Sequence, residues 1–371
     1  MTAQPELYLG LISGTSMDGI DVALVDWSNQ QPRLIDADAW PYDDDLRQRV
    51  AETCQGTALS AGDLATLDSR IAIAFATAAI SLLQRHNVKA SDVRALGSHG
   101  QNVFHGPTLS PSSTLQLGNP HLIANITGIT TVADFRRRDV AMGGQGAPLA
   151  PALHEPIFRS KHESRAVLNL GGIGNLTLLP KSGGQPVRGF DSGPGNCLMD
   201  EWICEAQNLA FDVGGQWAES GTVQTALLDK LKADPYFRKD PPKSTGREYF
   251  HLNWVRKSTP LDAFAQQDLQ ATFSQLTADT ACEAMLHQLP DCTRLLVCGG
   301  GARNTDLMDR IRKRLGEGVT VVTTDHHGIS ADWVEAVLFA QLAKAAVHQR
   351  TTNLESVTGA RAHVYGLVFP A

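Results

Sequence analysis

Residues 10–26 read GLISGTSMDGIDVALVD, and this stretch decides the fold. Two apolar, β-prone runs, 7–12 and 20–26, flank a segment of turn formers at 13–19. The pattern predicts a β-hairpin with a glycine-bearing turn. Gly14 and Gly19 would let the turn present backbone N–H groups as a concave nest of the kind that binds phosphate oxygens. Thr15 and Ser16 add hydroxyl donors around Met17, and Asp18 and Asp21 can hold magnesium directly or through water. An ordinary hairpin turn is the competing reading of the same string.

A second unit has the same pattern: an apolar run at 166–170, then Gly171-Gly172-Ile173-Gly174, then a run from Asn175 to position 179. Two such hairpins hint at a duplicated domain. Helical patterns follow each. Ser60 caps one, with Asp63 at the capping-box position and apolar residues recurring from Leu64 to Leu82. Another runs from Leu269 past Ala284. A strand at 294–298 enters Gly299-Gly300-Gly301 and a helix capped by Asn304; a strand follows at 319–323, and Ser330 caps a last helix to about Val347. Strands alternating with helices give an α/β class. Residues 234–246, DPYFRKDPPKSTG, read as an exposed loop or lid.

Several motifs are suited to chemistry. NLGGIGN (169–175) offers a second phosphate cradle; a strand follows it, so it is not a Rossmann fingerprint. No G-x-x-x-x-G-K-[ST] occurs, which excludes a P-loop. Gly299, Gly300, Gly301 and Asn304 let backbone approach a flat ligand closely at a helix start. Asp191, in FDSGPGN (190–196), sits beside glycines and a proline on what reads as a stiff turn, open to use as a general base or as a simple Asx cap. Arg136 and Arg138 precede a glycine-rich tail and suit a carboxylate or phosphate. His99 and Gln101 follow a strand-like run and suit sugar hydroxyls. Glu335 shares a stripe with Leu338, Phe339 and Leu342, either at its border or buried with a purpose.

The chain has 371 residues, 42% hydrophobic and 19% charged, which implies two packed globular domains. A net charge of −7 argues against a nucleic-acid binder. The six cysteines form no C-x-x-C pair, so neither zinc nor a disulfide framework is indicated. No signal peptide and no membrane-spanning apolar run is read, so a cytoplasmic protein is expected.

Taken in order, GLISGTSMDGIDVALVD, GSHGQ (97–101), DFRRRDVAMGGQGAP (134–148), NLGGIGN, FDSGPGN and CGGGARN (298–304) resemble the 1,6-anhydro-N-acetylmuramic acid kinases over nearly the whole chain. The resemblance implies a two-domain actin-like, ribonuclease H-like sugar-kinase fold with an ATP cleft between domains. The expected domains are 1–132 plus about 346–371, and 133–345. It implies ATP and Mg2+ as cofactors, with Gly14–Asp21 (Ile20 included), Gly171, Gly172, Gly174 and Asn175 at the phosphates and the 299–304 loop at adenosine. Sugar kinases of the wider superfamily carry an aspartate where this chain has Ile12; Asp18 is therefore the metal candidate. Asp191 is implied as the catalytic base, with His99, Gln101, Arg136, Arg138 and Glu335 at the substrate, a small anhydro amino sugar. A homodimer with no nucleic-acid or membrane partner is expected.

Overall fold

The computed structural model describes residues 5–14, 19–29, 31–181 and 185–371. Strands β1 (Leu7–Ser13) and β2 (Gly19–Asp26) pair antiparallel as the expected hairpin, with Ile12 opposite Asp21. β3 (Arg33–Pro41) continues the meander on β2. β4 (Val93–Gly106) lies parallel to β1, β5 (Ser113–Leu117) folds back on β4, and β6 (Thr131–Ala133) runs parallel to β4. The pattern then restarts. β7 (Ser164–Leu170), β8 (Ile173–Leu179) and β9 (Arg188–Pro194) form a second antiparallel meander. β10 (Cys292–Cys298) lies parallel to β7, and β11 (Thr320–Thr323) parallel to β10. β12 (Leu367–Phe369) pairs antiparallel with β6.

The order β6-β4-β1-β2-β3 in one sheet therefore repeats as β11-β10-β7-β8-β9 in the other. This is the ribonuclease H-like arrangement of actin-like folds, present twice. The duplication suspected from two glycine turns is a duplication of whole sheets.

A parallel return needs a crossover, usually a helix. From β3 to β4 the chain passes through the helix Ala61–Arg85, whose N-cap Ser60 accepts from the Asp63 amide at 3.1 Å. Leu67, Ile71, Phe75, Ala78 and Leu82 are buried. Each large side chain so buried contributes roughly 1.5–3 kcal/mol. This helix is long and apolar enough to cross a bilayer by length and composition, but its apolar stripe is packed in the core of its own unit. From β9 to β10 the crossover includes the helix Gln266–Gln288.

The chain divides into two units: residues up to Leu153 with Trp333–Ala371, and His154–Asp332. Each has its own hydrophobic core. The sequence placed the divisions near 132 and 345. The helix Val334–Val347 explains the second difference. It packs on β1 and β4, and Gly10 and Gly97 are what admit it: a Cβ at Gly10 would overlap the Ala336 carbonyl, and one at Gly97 the Phe339 carbonyl. Ser330 does not cap this helix; Trp333 precedes its first turn and no side chain caps it.

Candidate active site

In the first unit, Thr15, Ser16, Met17 and Asp18 lie outside the described residues, so the metal assignment to Asp18 does too. The ends of their turn are described. Ser13 Oγ donates to the Gly19 carbonyl at 2.7 Å, closing the hairpin. Gly19 is packed against Trp40 and Pro41, Ile20 is buried, and Asp21 is half-buried at the start of β2.

The SHGQ motif does not follow a strand; it lies inside the long β4, at a bulge where Gly100 takes φ +74°. That enclosure changes the reading of its side chains. Arg136 Nε donates to His99 Nε2 at 2.8 Å, which makes Nδ1 the protonated nitrogen, donating to the Gly100 carbonyl at 2.9 Å. Both ring nitrogens are thus occupied and the ring is buried against Phe339. His99 positions Arg136; it has no nitrogen left for a sugar. Burial, aided by the Arg136 charge, pushes its pKa down to about 3, so it stays neutral. Gln101 is fully buried too, donating to the Gly14 carbonyl at 3.4 Å and so tying β4 to the first glycine turn.

Arg136 and Arg138 sit on the short helix Phe135–Ala141. Arg137 points elsewhere and pairs with Asp134. The half-buried Arg138 guanidinium makes no hydrogen bond or ion pair among the described residues. The loop beyond is pinned by Asp139, which is fully buried and accepts from Gly146 N (2.6 Å), Thr358 Oγ1 (2.9 Å) and Tyr365 Oη (2.6 Å). Glu335 opens the helix Val334–Val347. It reaches solvent, so it is not enclosed, yet the surrounding protein desolvates it enough to raise its carboxyl above the ordinary range, against the pull of Arg136.

In the second unit three glycine motifs meet. The Gly171-Gly172 turn joins β7 to β8; Gly171 O accepts from Asn196 N (2.8 Å), and Gly172 O from Gly195 N (2.9 Å) and Cys197 N (3.0 Å). Gly301 packs on Leu170 and Asn196, whereas Gly300 has nothing near the position a Cβ would take. Gly299 takes φ +81°, and Asn304 caps the helix Thr305–Leu315 by accepting from Leu307 N at 3.0 Å. An open glycine beside two packed ones is suited to a flat ligand lying on backbone. Gly214 and Gly215, not singled out in the sequence, lie against Thr305 and Asn304 of this loop, both at positive φ.

Asp191 is not on a turn. It lies within β9, half-buried, and its carboxylate is oriented from two sides. Asn175 Nδ2 donates to Oδ1 at 3.2 Å, so Asn175, expected at the nucleotide, serves the aspartate. Thr245 N donates to Oδ2 at 3.0 Å. Tyr236 Oη donates to the Asp191 carbonyl at 2.7 Å, and Asp191 N to the Lys243 carbonyl at 3.2 Å. Thr245, Tyr236 and Lys243 all belong to residues 234–246, the stretch read as an exposed loop or lid. Tyr236 is buried, and Phe237 packs on Gly193. A carboxylate accepts at four lone-pair positions, and these two donors, one on each oxygen, orient its plane.

Magnesium takes one or two carboxylates plus substrate phosphates. Asp21, half-buried at the edge of the first glycine turn, suits that pattern. Asp200, in the helix Cys197–Gln207, is a half-buried carboxylate that the sequence reading missed; burial pushes it up to about 6, against the pull of Arg247.

The sequence profile described as anhydro-N-acetylmuramic acid kinase matches residues 6–371. Curated relatives of that name are similar over almost their whole length. That of Xylella fastidiosa is 49% identical, covering 98% of this chain and 96% of the relative. That of Xanthomonas campestris pv. campestris is 47% identical (98% and 97%), and that of Coxiella burnetii 46% (96% and 95%). Among solved structures, component A of the Acidaminococcus fermentans (R)-2-hydroxyglutaryl-CoA dehydratase aligns at TM-score 0.48 and 12% identity, covering 91% of this chain and 97% of that one, too distant to carry an argument. The chain belongs to the anhydro-N-acetylmuramic acid kinase family.

Proposed function

We propose that this kinase hydrolytically opens the 1,6-anhydro ring of anhydro-N-acetylmuramic acid and phosphorylates O6 from ATP, giving N-acetylmuramic acid 6-phosphate and ADP. The observation that carries the reading is the fixed carboxylate of Asp191, held by Asn175 and the Thr245 amide. A general base must be oriented toward the proton it takes and be ionised at working pH. Asp191 removes a proton from water as its oxygen adds to C1. The C1–O6 bond breaks, and O6 takes the γ-phosphoryl group as ADP leaves.

Phosphoryl transfer asks the protein mainly for positioning and neutralisation of charge. The glycine turns at 14–19 and 171–174 seat the phosphates, and the 299–304 loop takes the adenosine. Asp18 or Asp21 would hold magnesium, which would supply charge neutralisation for phosphoryl transfer. Arg136, aimed by His99, and Arg138 hold the lactyl carboxylate of the sugar. Glu335 contacts the sugar or the water. The setting is recycling of cell-wall fragments in a cytoplasm, by a homodimer.

A kinase for an ordinary sugar hydroxyl is the rival. ADP release with magnesium and ATP should be fast with the anhydro sugar and near background with open-chain N-acetylmuramic acid. Faster turnover of the open-chain sugar would reverse the assignment.

A further inference from the structure

The second glycine turn carries a cation that the sequence motifs do not include. The Arg247 guanidinium lies directly over Gly172: a Cβ there would sit 2.5 Å from its Nε and 2.7 Å from its Nη2. With no side chain at Gly172, the guanidinium can rest directly on the backbone of the turn; a Cβ would push it aside. Arg303 and Arg310 of the same unit are spent on acids, Asp332 and Asp306. Arg247 is exposed, and its guanidinium makes no hydrogen bond or ion pair among the described residues. Asp200 feels its charge but forms no ion pair with it.

We propose that Arg247 is a phosphate ligand of the 171–174 turn, taking the polyphosphate of a nucleoside triphosphate. A guanidinium is a planar fork of donors matched to two phosphate oxygens, and it is weakly hydrated, so it gives up water readily. The turn beneath it has no side chain at Gly171 or Gly172 to keep phosphate away. The same short segment also reaches the base, because Thr245, two residues earlier, donates its amide to Asp191. Residues 243–247 thus connect nucleotide seating to the orientation of the carboxylate. The inference rests on the nucleotide reading of the glycine turns above.

Calorimetry on the full chain with magnesium tests it, using a non-hydrolysable ATP analogue and adenosine as separate probes. Arg247→Ala should weaken the analogue by about 10–100-fold, the loss expected of a charge-assisted phosphate contact. Adenosine affinity and melting temperature should stay as in the wild type, and Arg247→Lys should fall between. Equal analogue affinity in Arg247→Ala and wild type overturns the proposal while leaving the nucleotide reading intact. Equal weakening of analogue and adenosine also overturns it, since that is the mark of a general structural role. Failure of the wild type itself to bind the analogue overturns both.

Discussion

Asp191 works as a base only if its carboxylate is aimed, and the structure shows two donors aiming it. Asp191→Asn keeps the shape and removes the proton acceptor. Turnover should fall by roughly 10²–10⁴-fold, the usual contribution of a positioned base. Affinity for sugar and nucleotide should hold, because the lost interaction belongs mainly to the transition state. Steady-state kinetics and binding on one variant check this; near-normal turnover would move the base elsewhere, with Glu335 next to test. Its glycine and proline neighbours single Asp191 out in the sequence. Its partners were not legible there, since Tyr236 and Thr245 lie 45 and 54 residues away and only the fold brings them back. His99 was legible as special, but not what it holds. A motif shows that a histidine matters; only the hydrogen bonds at 2.8 and 2.9 Å show that it holds an arginine.

Among the elements, the helix Val334–Val347 and the sheet of the first unit depend on two glycines. At Gly10 a Cβ would lie 2.6 Å from Ala340 N and 3.0 Å from the Ala336 carbonyl carbon, all helix backbone that cannot rotate away. Gly10→Ala should therefore destabilise by about 2–4 kcal/mol, at the upper end of overpacking costs. It should also lower activity, because Glu335 lies in the first turn of this helix. Gly62→Ala is the control: its nearest neighbour would be Ser60 Oγ at 3.8 Å, and alanine favours a helix by about 0.5–1 kcal/mol. Urea denaturation of both variants decides, and a neutral Gly10→Ala would show that the helix shifts freely. Strands and their glycine turns could be read from the sequence because alternation and turn chemistry are local. Residues 234–246 could be read as a loop with little fully buried, but what anchors it could not. Their prolines and charges read as solvent-exposed, while Tyr236 and Phe237, which pack on β9, are a minority within the segment.

For the whole molecule, buried and half-buried histidines set the response to acid. Burial holds His99 and His154 down to about 3 and His105 to about 4, and His327 is shifted the same way. An unfolded histidine takes a proton near pH 6.5. As the pH falls below that value, the unfolded state binds protons that the native state refuses, and stability is lost down toward pH 3–4. Asp200, raised to about 6, works oppositely: its native carboxyl keeps a proton that the unfolded one releases, adding stability as the pH falls through 6. Glu335 is shifted in the same direction as Asp200. The histidines outnumber these acids, so unfolding free energy should drop by on the order of 2–4 kcal/mol between pH 7 and pH 5. Urea titrations at the two pH values measure it, and equal or greater stability at pH 5 would contradict the balance.

The chemistry itself is tested most directly by where solvent oxygen goes. The wild-type chain, ATP, magnesium and 1,6-anhydro-N-acetylmuramic acid are incubated in heavy-oxygen water, and the sugar phosphate is examined at once by mass spectrometry with fragmentation. Attack of water on C1 with phosphorylation of O6 predicts a ring-opened 6-phosphate with one heavy oxygen, located at C1. A phosphorylated product with its anhydro ring intact, or an opened product with the label elsewhere than C1, would contradict the account.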